Sequence, residues 1–399
     1  MSHGHAVTVD PVQHSGRAFG RLTGIGAVLG VVGLGAALAI SGGTKQFYFS
    51  WLVAYLYFLS IALGALFFVL MLTVTRAGWG IALRRVVENV MATLPVFALL
   101  FVPIWLGRHE MYEWMNPEEV AKNPILQGKA PFLNEGFWFI RAIFYFTVWS
   151  ALAAFFSTQS QKQDETGDPA ISARMRGVAP IGTVLFALTS TFAIIDWMMS
   201  LEPEWYSTMI GVYFFSGAVV AILAVTILLV HFAYAQGALR GVVTAEHLQD
   251  VAKLLFGFTI FWAYIAFSQY FLIWYGNMPE ETIYYMKRQV GSWDSAGMFL
   301  AFGHFLFPFF FLMPRAVKRN STLLVLIAAW QLAMHFLDLH WCVMPILHHE
   351  GVRFGLTDVA AFCAVGGIFL AALGWVSSRR ALVPLRDPRL PESLSFENV

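Results

Sequence analysis

Ten stretches of this chain are apolar for the length that crosses a lipid bilayer, and that repetition constrains the fold more than any motif does. A helix rises 1.5 Å per residue, so about 20 mostly apolar residues span a hydrocarbon core of roughly 30 Å. The stretches lie at about 22–41, 47–74, 86–106, 136–157, 177–200, 208–234, 251–276, 294–313, 321–345 and 354–377. Runs this long in lipid are helices, because a helix satisfies its own backbone polar groups. Composition agrees: only 12% of the 399 residues are charged, against about 25% in a soluble domain. A soluble enzyme is excluded. The 37 Phe and 14 Trp exclude disorder, and a net charge of +1 without a basic block argues against nucleic-acid binding. Two cysteines, Cys342 and Cys363, cannot build a disulfide framework.

The expected class is therefore an all-α integral membrane protein with ten transmembrane helices. A segment 1–21, a membrane domain 22–377 and a tail 378–399 are the expected divisions. Alternate loops hold seventeen and seven basic residues, with Arg141 inside the fourth stretch. The positive-inside rule then places both termini in the cytoplasm. The first stretch is longer than the apolar part of a signal peptide, and we read it as a retained helix. The third is the weakest, holding Glu88, Asn89, Pro95 and Pro103; a kink is expected there. Residues 107–135 form an outer loop rich in glutamate, and the polar run Gln159–Asp168 reads as a flexible linker.

An internal echo supports a duplicated architecture. The third stretch ends IWLG with Glu110 and Glu113 beyond it; the seventh ends IWYG with Glu280 and Glu281 beyond it. Asp196 near the end of the fifth is matched by Asp338 near the end of the ninth. Two four-helix bundles, spans 2–5 and 6–9, follow from this, with helices 1 and 10 at the periphery. Gly16, Gly20 and Gly24, and also Gly26 and Gly30, recur every four residues, a spacing that lets another helix or subunit approach closely.

An ionisable side chain near the bilayer centre costs about 2.5–3.5 kcal/mol on insertion scales, so each needs a local reason. Arg141, Asp196, His335, Asp338, His340 and Asp358 map towards the outer side, His304 towards the middle, and Glu88 and His231 towards the cytoplasmic side. Gln331, His335, Asp338 and Cys342 fall on one stripe of the ninth helix, where Asp338 can hydrogen-bond His335 and tune it for proton exchange. Tyr264, Ser268 and Gln269 on the seventh, and Thr189, Asp196 and Ser200 on the fifth, could line a hydrated proton path or a quinone headgroup site. Interhelical hydrogen bonding is the plainer role, and we favour it for Thr, Ser, Gln and Tyr. Glu88 can pair with Arg84 in the headgroup region, and Arg141 can snorkel outward. With Asp196, His304, His335, Asp338, Gln269 and Tyr264 they make eight candidates for a proton path or quinone site, Glu88 at its cytoplasmic entrance.

No helix carries two widely spaced histidines suited to stacked haems. The pair His348 and His349, and His3 and His5, read as exposed loop histidines without metal. No nucleotide-binding glycine pattern or Cys-x-x-Cys occurs. The chain is expected to hold no covalent or metal cofactor; a bound quinone or menaquinone stays open.

Three segments carry a family resemblance: 196–215 (DWMMSLEPEWYSTMIGVYFF), 266–282 (AFSQYFLIWYGNMPEET) and 330–338 (WQLAMHFLD). They resemble the ActF-type subunits of bacterial alternative complex III, within the wider NrfD-like, polysulphide-reductase-type group of membrane subunits. The likeness extends over essentially the whole chain. It implies a quinol:electron acceptor oxidoreductase of the respiratory chain, delivering electrons to cytochrome c or a terminal oxidase. The implied partners are a homologous membrane subunit, an iron–sulphur protein, multihaem cytochromes and lipid. An ActF-type chain then contributes a proton path, a quinone environment or structural support. A secondary transporter and a purely structural scaffold are the rival classes.

Overall fold

The computed structural model describes residues 15–398. His3 and His5, and most of the expected segment 1–21, lie outside the described residues. Ten helices long and apolar enough to cross a membrane are present, and among the described residues there is no strand beyond one isolated bridge between Ser15 and Ala381. We number them α1 (Gly20–Ser41), α2 (Lys45–Val74), α3 (Ile81–Leu106), α4 (Glu135–Thr166), α5 (Pro169–Trp197), α6 (Ile210–Ala235), α7 (Ala245–Gly276), α8 (Ser292–Leu312), α9 (Ser321–Val343) and α10 (Leu356–Ser378). The end of the bundle carrying Ser15 and Asn398 is the near face; the other is the far face.

Side-chain caps set several starts. Thr44, Asn134, Asp168 and Asn320 accept from backbone N–H groups of the first turns of α2, α4, α5 and α9. Each satisfies a donor that a helix leaves orphaned at its N-terminus. The expected linker at Gln159–Asp168 is not one. α4 continues to Thr166, Gly167 turns the chain at φ 68°, and Asp168 caps α5. Ser160 and Gln163 within that run are buried, because their polar atoms face buried arginines and the neighbouring helix rather than water.

The expected break in α3 is present. It runs Ile81–Met91, then a tight turn through Pro95, then Val96–Leu100 and Val102–Leu106. Proline lacks the N–H that would continue the ladder, and the turn is closed by bonds three residues apart, such as Val96 N to Thr93 O. The helix begins five residues before the expected start at 86, so Arg84 and Arg85 lie inside it. α8 carries a second irregularity, a π-helical turn over Ala301–Leu306 that contains His304.

α2 and α6 are the most buried spans and pack against each other at the centre. α2 gathers α3, α4 and α5 into one bundle; α6 with α7, α8 and α9 forms the second. α1 and α10 pair along their length on the flank, with α10 against α2. Their seam uses Gly26, Gly30 and Gly33 facing Gly367, Ala371 and Ala364 at backbone distance. A Cβ on Gly26 or Gly367 would fall onto the opposing main chain. Gly16 and Gly20 lie against Ser377 and Ser378 at the end of α10, whereas Gly24 has open space around it and plays no part in this seam. The tail folds back across the near face: Leu382, Val383 and Leu390 are buried, and Ser393 bonds to the start of α3 and to His247 of α7.

Candidate functional site

The second bundle holds a column of buried polar groups near its axis. On α9, Gln331, His335, Asp338 and Cys342 are all buried, as their common stripe requires. Gln331 donates to Thr259 Oγ1 of α7 (2.8 Å). His335 Nε2 lies 2.8 Å from Ser60 Oγ of α2, and its Nδ1 has no hydrogen-bond partner among the described residues. Gly217 of α6 provides the space for this imidazole, since a Cβ there would meet its ring. His304 lies fully buried, its ring 4.0 Å from that of Trp262 and 6.5 Å from that of His335. Neither of its nitrogens has a partner among the described residues.

Asp338 accepts from the Tyr213 hydroxyl of α6 and from Trp262 Nε1 (3.1 Å) of α7. The expected Asp338–His335 hydrogen bond is therefore replaced: the carboxylate is held by an aromatic pair on α6 and α7, and the imidazole by α2. Asp338 forms no ion pair among the described residues. Tyr213, Trp262 and Ser60 were not picked out from the sequence. Aromatic and hydroxyl residues are common in apolar spans, and the only available signal was that a buried phenol or indole needs an acceptor.

In the first bundle the buried carboxylate is paired. Arg141 of α4 donates through Nε (2.8 Å) and Nη2 (2.7 Å) to the two oxygens of Asp196, and Tyr145 adds a bond of 2.7 Å. The guanidinium also packs over Phe132 and Phe137. Arg141 thus does not snorkel; it is turned inward because Asp196, 0% exposed, needs a countercharge. All of these partners belong to the first bundle or its far-face loop, so Asp196 stands apart from Asp338.

Glu88 belongs to a third centre, at the near face. It bridges Arg84 (2.9 Å) and Arg85 (3.0 Å), while Asp387 of the tail takes Arg84 and Asp164 of α4 takes Arg85. The expected Arg84 pairing is present, but in a buried network and not at a wet headgroup boundary.

Gln269 sits towards the far face between Ser207 Oγ and Tyr285 OH. Tyr264 is 63% exposed on the outside of α7 and takes no part in any of these centres. Of the eight candidates, then, His304, His335 and Asp338 come together, Arg141 and Asp196 form a second group, and Glu88, Gln269 and Tyr264 lie elsewhere. Asp358 caps the backbone of Gly355 and accepts from Ser50, which gives it a structural role at the start of α10.

At the far face a further centre escaped the sequence reading. Arg288, buried after the short helix Pro279–Lys287, pairs with Glu202 (2.8 Å) and donates to the carbonyls of Tyr284 and Cys342. It ties the α5–α6 connection to the end of α9. A cavity of about 360 Å³ opens nearby between residues 128–133 and the end of α5, lined by Phe132, Ile195, Met199, Trp205 and Tyr206 with Lys129 at its edge. Its size falls in the range of small-molecule sites. Burial lowers the Lys129 ammonium from its ordinary value, against the opposing pull of Glu204. No group of three or more His, Cys, Asp or Glu suited to a metal occurs among the described residues.

Fold and buried centres together define a polytopic all-α membrane protein built from two four-helix bundles. No protein-family model and no curated protein matches the chain.

Proposed function

We propose that the chain is an ActF-type membrane subunit of a quinol-oxidising respiratory complex, alternative complex III, in which it provides a proton path and part of a quinone environment. The observation that carries this reading is the polar column of the second bundle, in which Asp338 forms no ion pair among the described residues. Gln331 to Asp338 covers about 10 Å along the helix axis at 1.5 Å per residue. A neutral imidazole can accept a proton on one nitrogen and release one from the other, which suits His304 and His335 to relay between their free ring atoms. Unpartnered buried nitrogens are costly, and a bridging water would satisfy them. Asp338 can take up and release a proton without breaking an ion pair. Its partner Tyr213 lies in the first turn of α6, so the column's upper end approaches the far face.

The chain brings no redox cofactor to the reaction. Electrons would pass through iron–sulphur and multihaem partners at the far face, beside a homologous membrane subunit and in contact with a terminal oxidase where one is present. The basic-residue bias supports a cytoplasmic near face in a bacterial inner membrane. The cavity beside Phe132 and Lys129 offers room for a quinone or menaquinone ring near the far face. The two irregular helices, α3 and α8, keep the secondary transporter as the rival reading.

Purification from native membranes in a mild detergent tests the assignment. Co-purifying subunits with c-type haem and iron–sulphur signals, and quinol-dependent reduction of an acceptor, are the expected result. A chain that purifies alone, lacks those signals and drives solute uptake in liposomes would belong to the transporter class.

A further inference from the structure

The near face carries a cleft that plays no part in the proton path. It lies between the end of α2, the start of α3, the second turn of α5 and the tail. Arg76, Arg84, Arg176 and Arg389 line it, with Asp387 the one carboxylate. That carboxylate is already engaged by Arg84 and by the backbone N–H of Arg389. Arg84 is also held by Glu88, and Arg389 by Glu392. Arg76 and Arg176 form no ion pair and no side-chain hydrogen bond among the described residues. Two guanidiniums therefore line the cleft without a carboxylate partner among the described residues.

The backbone fixes this arrangement. Arg76 sits at φ 53°, a conformation that costs an L-residue about 1–2 kcal/mol, and Arg389 donates to its carbonyl oxygen. The cavity is small, about 40 Å³, a few times the roughly 10–15 Å³ that a cavity needs to hold one water. It has room for a compact oxyanion and none for a nucleoside or a sugar ring. From its edge an apolar track leads along α5: Gly177, beside Arg176, is followed at helical spacing by Ile181, Val184 and Leu188, exposed by 67%, 59% and 52%. Val74, the last residue of α2, is also exposed. A charged pocket at the end of the spans, continued by an exposed apolar stripe, matches a head-and-tail ligand.

We propose that this cleft binds the phosphate of an anionic phospholipid, whose acyl chain lies along the Ile181–Leu188 stripe of α5. Free phosphate shares the head chemistry but has no use for the stripe. Thermal unfolding of the full-length chain in mild detergent, titrated with phosphatidylglycerol, phosphatidylcholine or inorganic phosphate, separates the sources. Phosphatidylglycerol is expected to raise the midpoint, with little response to the other two. In R76Q/R176Q the apparent affinity for phosphatidylglycerol should fall by about fivefold per arginine removed. Neither side chain has a partner among the described residues, so the variant is expected to unfold at the wild-type midpoint without lipid. Arg240→Gln, on the same face outside the cleft, should keep the response. An unchanged affinity in R76Q/R176Q, an equal loss in Arg240→Gln, or an equal response to inorganic phosphate would each overturn the proposal.

Discussion

The fifth and ninth helices each bury one carboxylate near the far face, four spans apart in the chain, and the two are stabilised in different ways. Asp196 is locked into a two-pronged pair with Arg141 and a bond from Tyr145. Among the described residues Asp338 has only the neutral donors of Tyr213 and Trp262, while His335, one turn away on α9, and His304 have ring nitrogens without a partner. An ion pair removed from water persists only while both members remain, and losing one strands the other at high cost. Asp196 is thus committed to holding the first bundle together. The carboxyl of Asp338 can change its protonation without dismantling an ion pair, which is what a proton relay requires.

Substitutions can break this contrast. Arg141→Ala should have the largest effect on folding, about 3–5 kcal/mol, because Asp196 is left as an uncompensated buried charge. R141A/D196A should recover a large part of that loss, and a double-mutant cycle on thermal unfolding reads the difference. Glu88→Gln removes one charge shared by two buried arginines, and we expect a loss of about 2–3 kcal/mol by the same assay. Trp262→Phe leaves Asp338 with one donor. It should cost about 1–2 kcal/mol in stability while slowing proton-linked turnover, so the two readouts part company. Tyr264→Leu, on the exposed flank of α7, should change stability by no more than about 0.5 kcal/mol and leave turnover at the wild-type rate.

Much of the fold was legible because bilayer length is written in the chain directly. The ten spans, the kink at Pro95 and the peripheral place of α1 and α10 followed from apolar length, proline and the internal echo, whereas the pairing of those two helices with each other did not. The polar run Gln159–Asp168 was misread because hydrophilicity alone does not separate a loop from a helix end facing buried arginines. The site was legible only in part. Residues expensive to bury, such as Asp338, His335 and Asp196, stood out one at a time. Which of them meet depends on packing between helices far apart in sequence, and so the Arg141–Asp196 pair and the Tyr213–Trp262 clasp were invisible. Tyr264 and Gln269 share α7 with Trp262, but Trp262 lies on the face that reaches Asp338.

The most direct test of the proposed function is proton release during quinol oxidation by the respiratory complex proposed above, reconstituted in proteoliposomes, comparing Asp338→Asn with Asp196→Asn. Asparagine preserves the shape at position 338 and should leave assembly intact, at a stability cost of about 1 kcal/mol. Asp338→Asn is expected to lower coupled proton release by about a hundredfold or more, the range associated with loss of a proton-transfer group. Asp196→Asn should act first on assembly and yield, with residual complex still coupled. Wild-type proton release from assembled Asp338→Asn complex would contradict the relay.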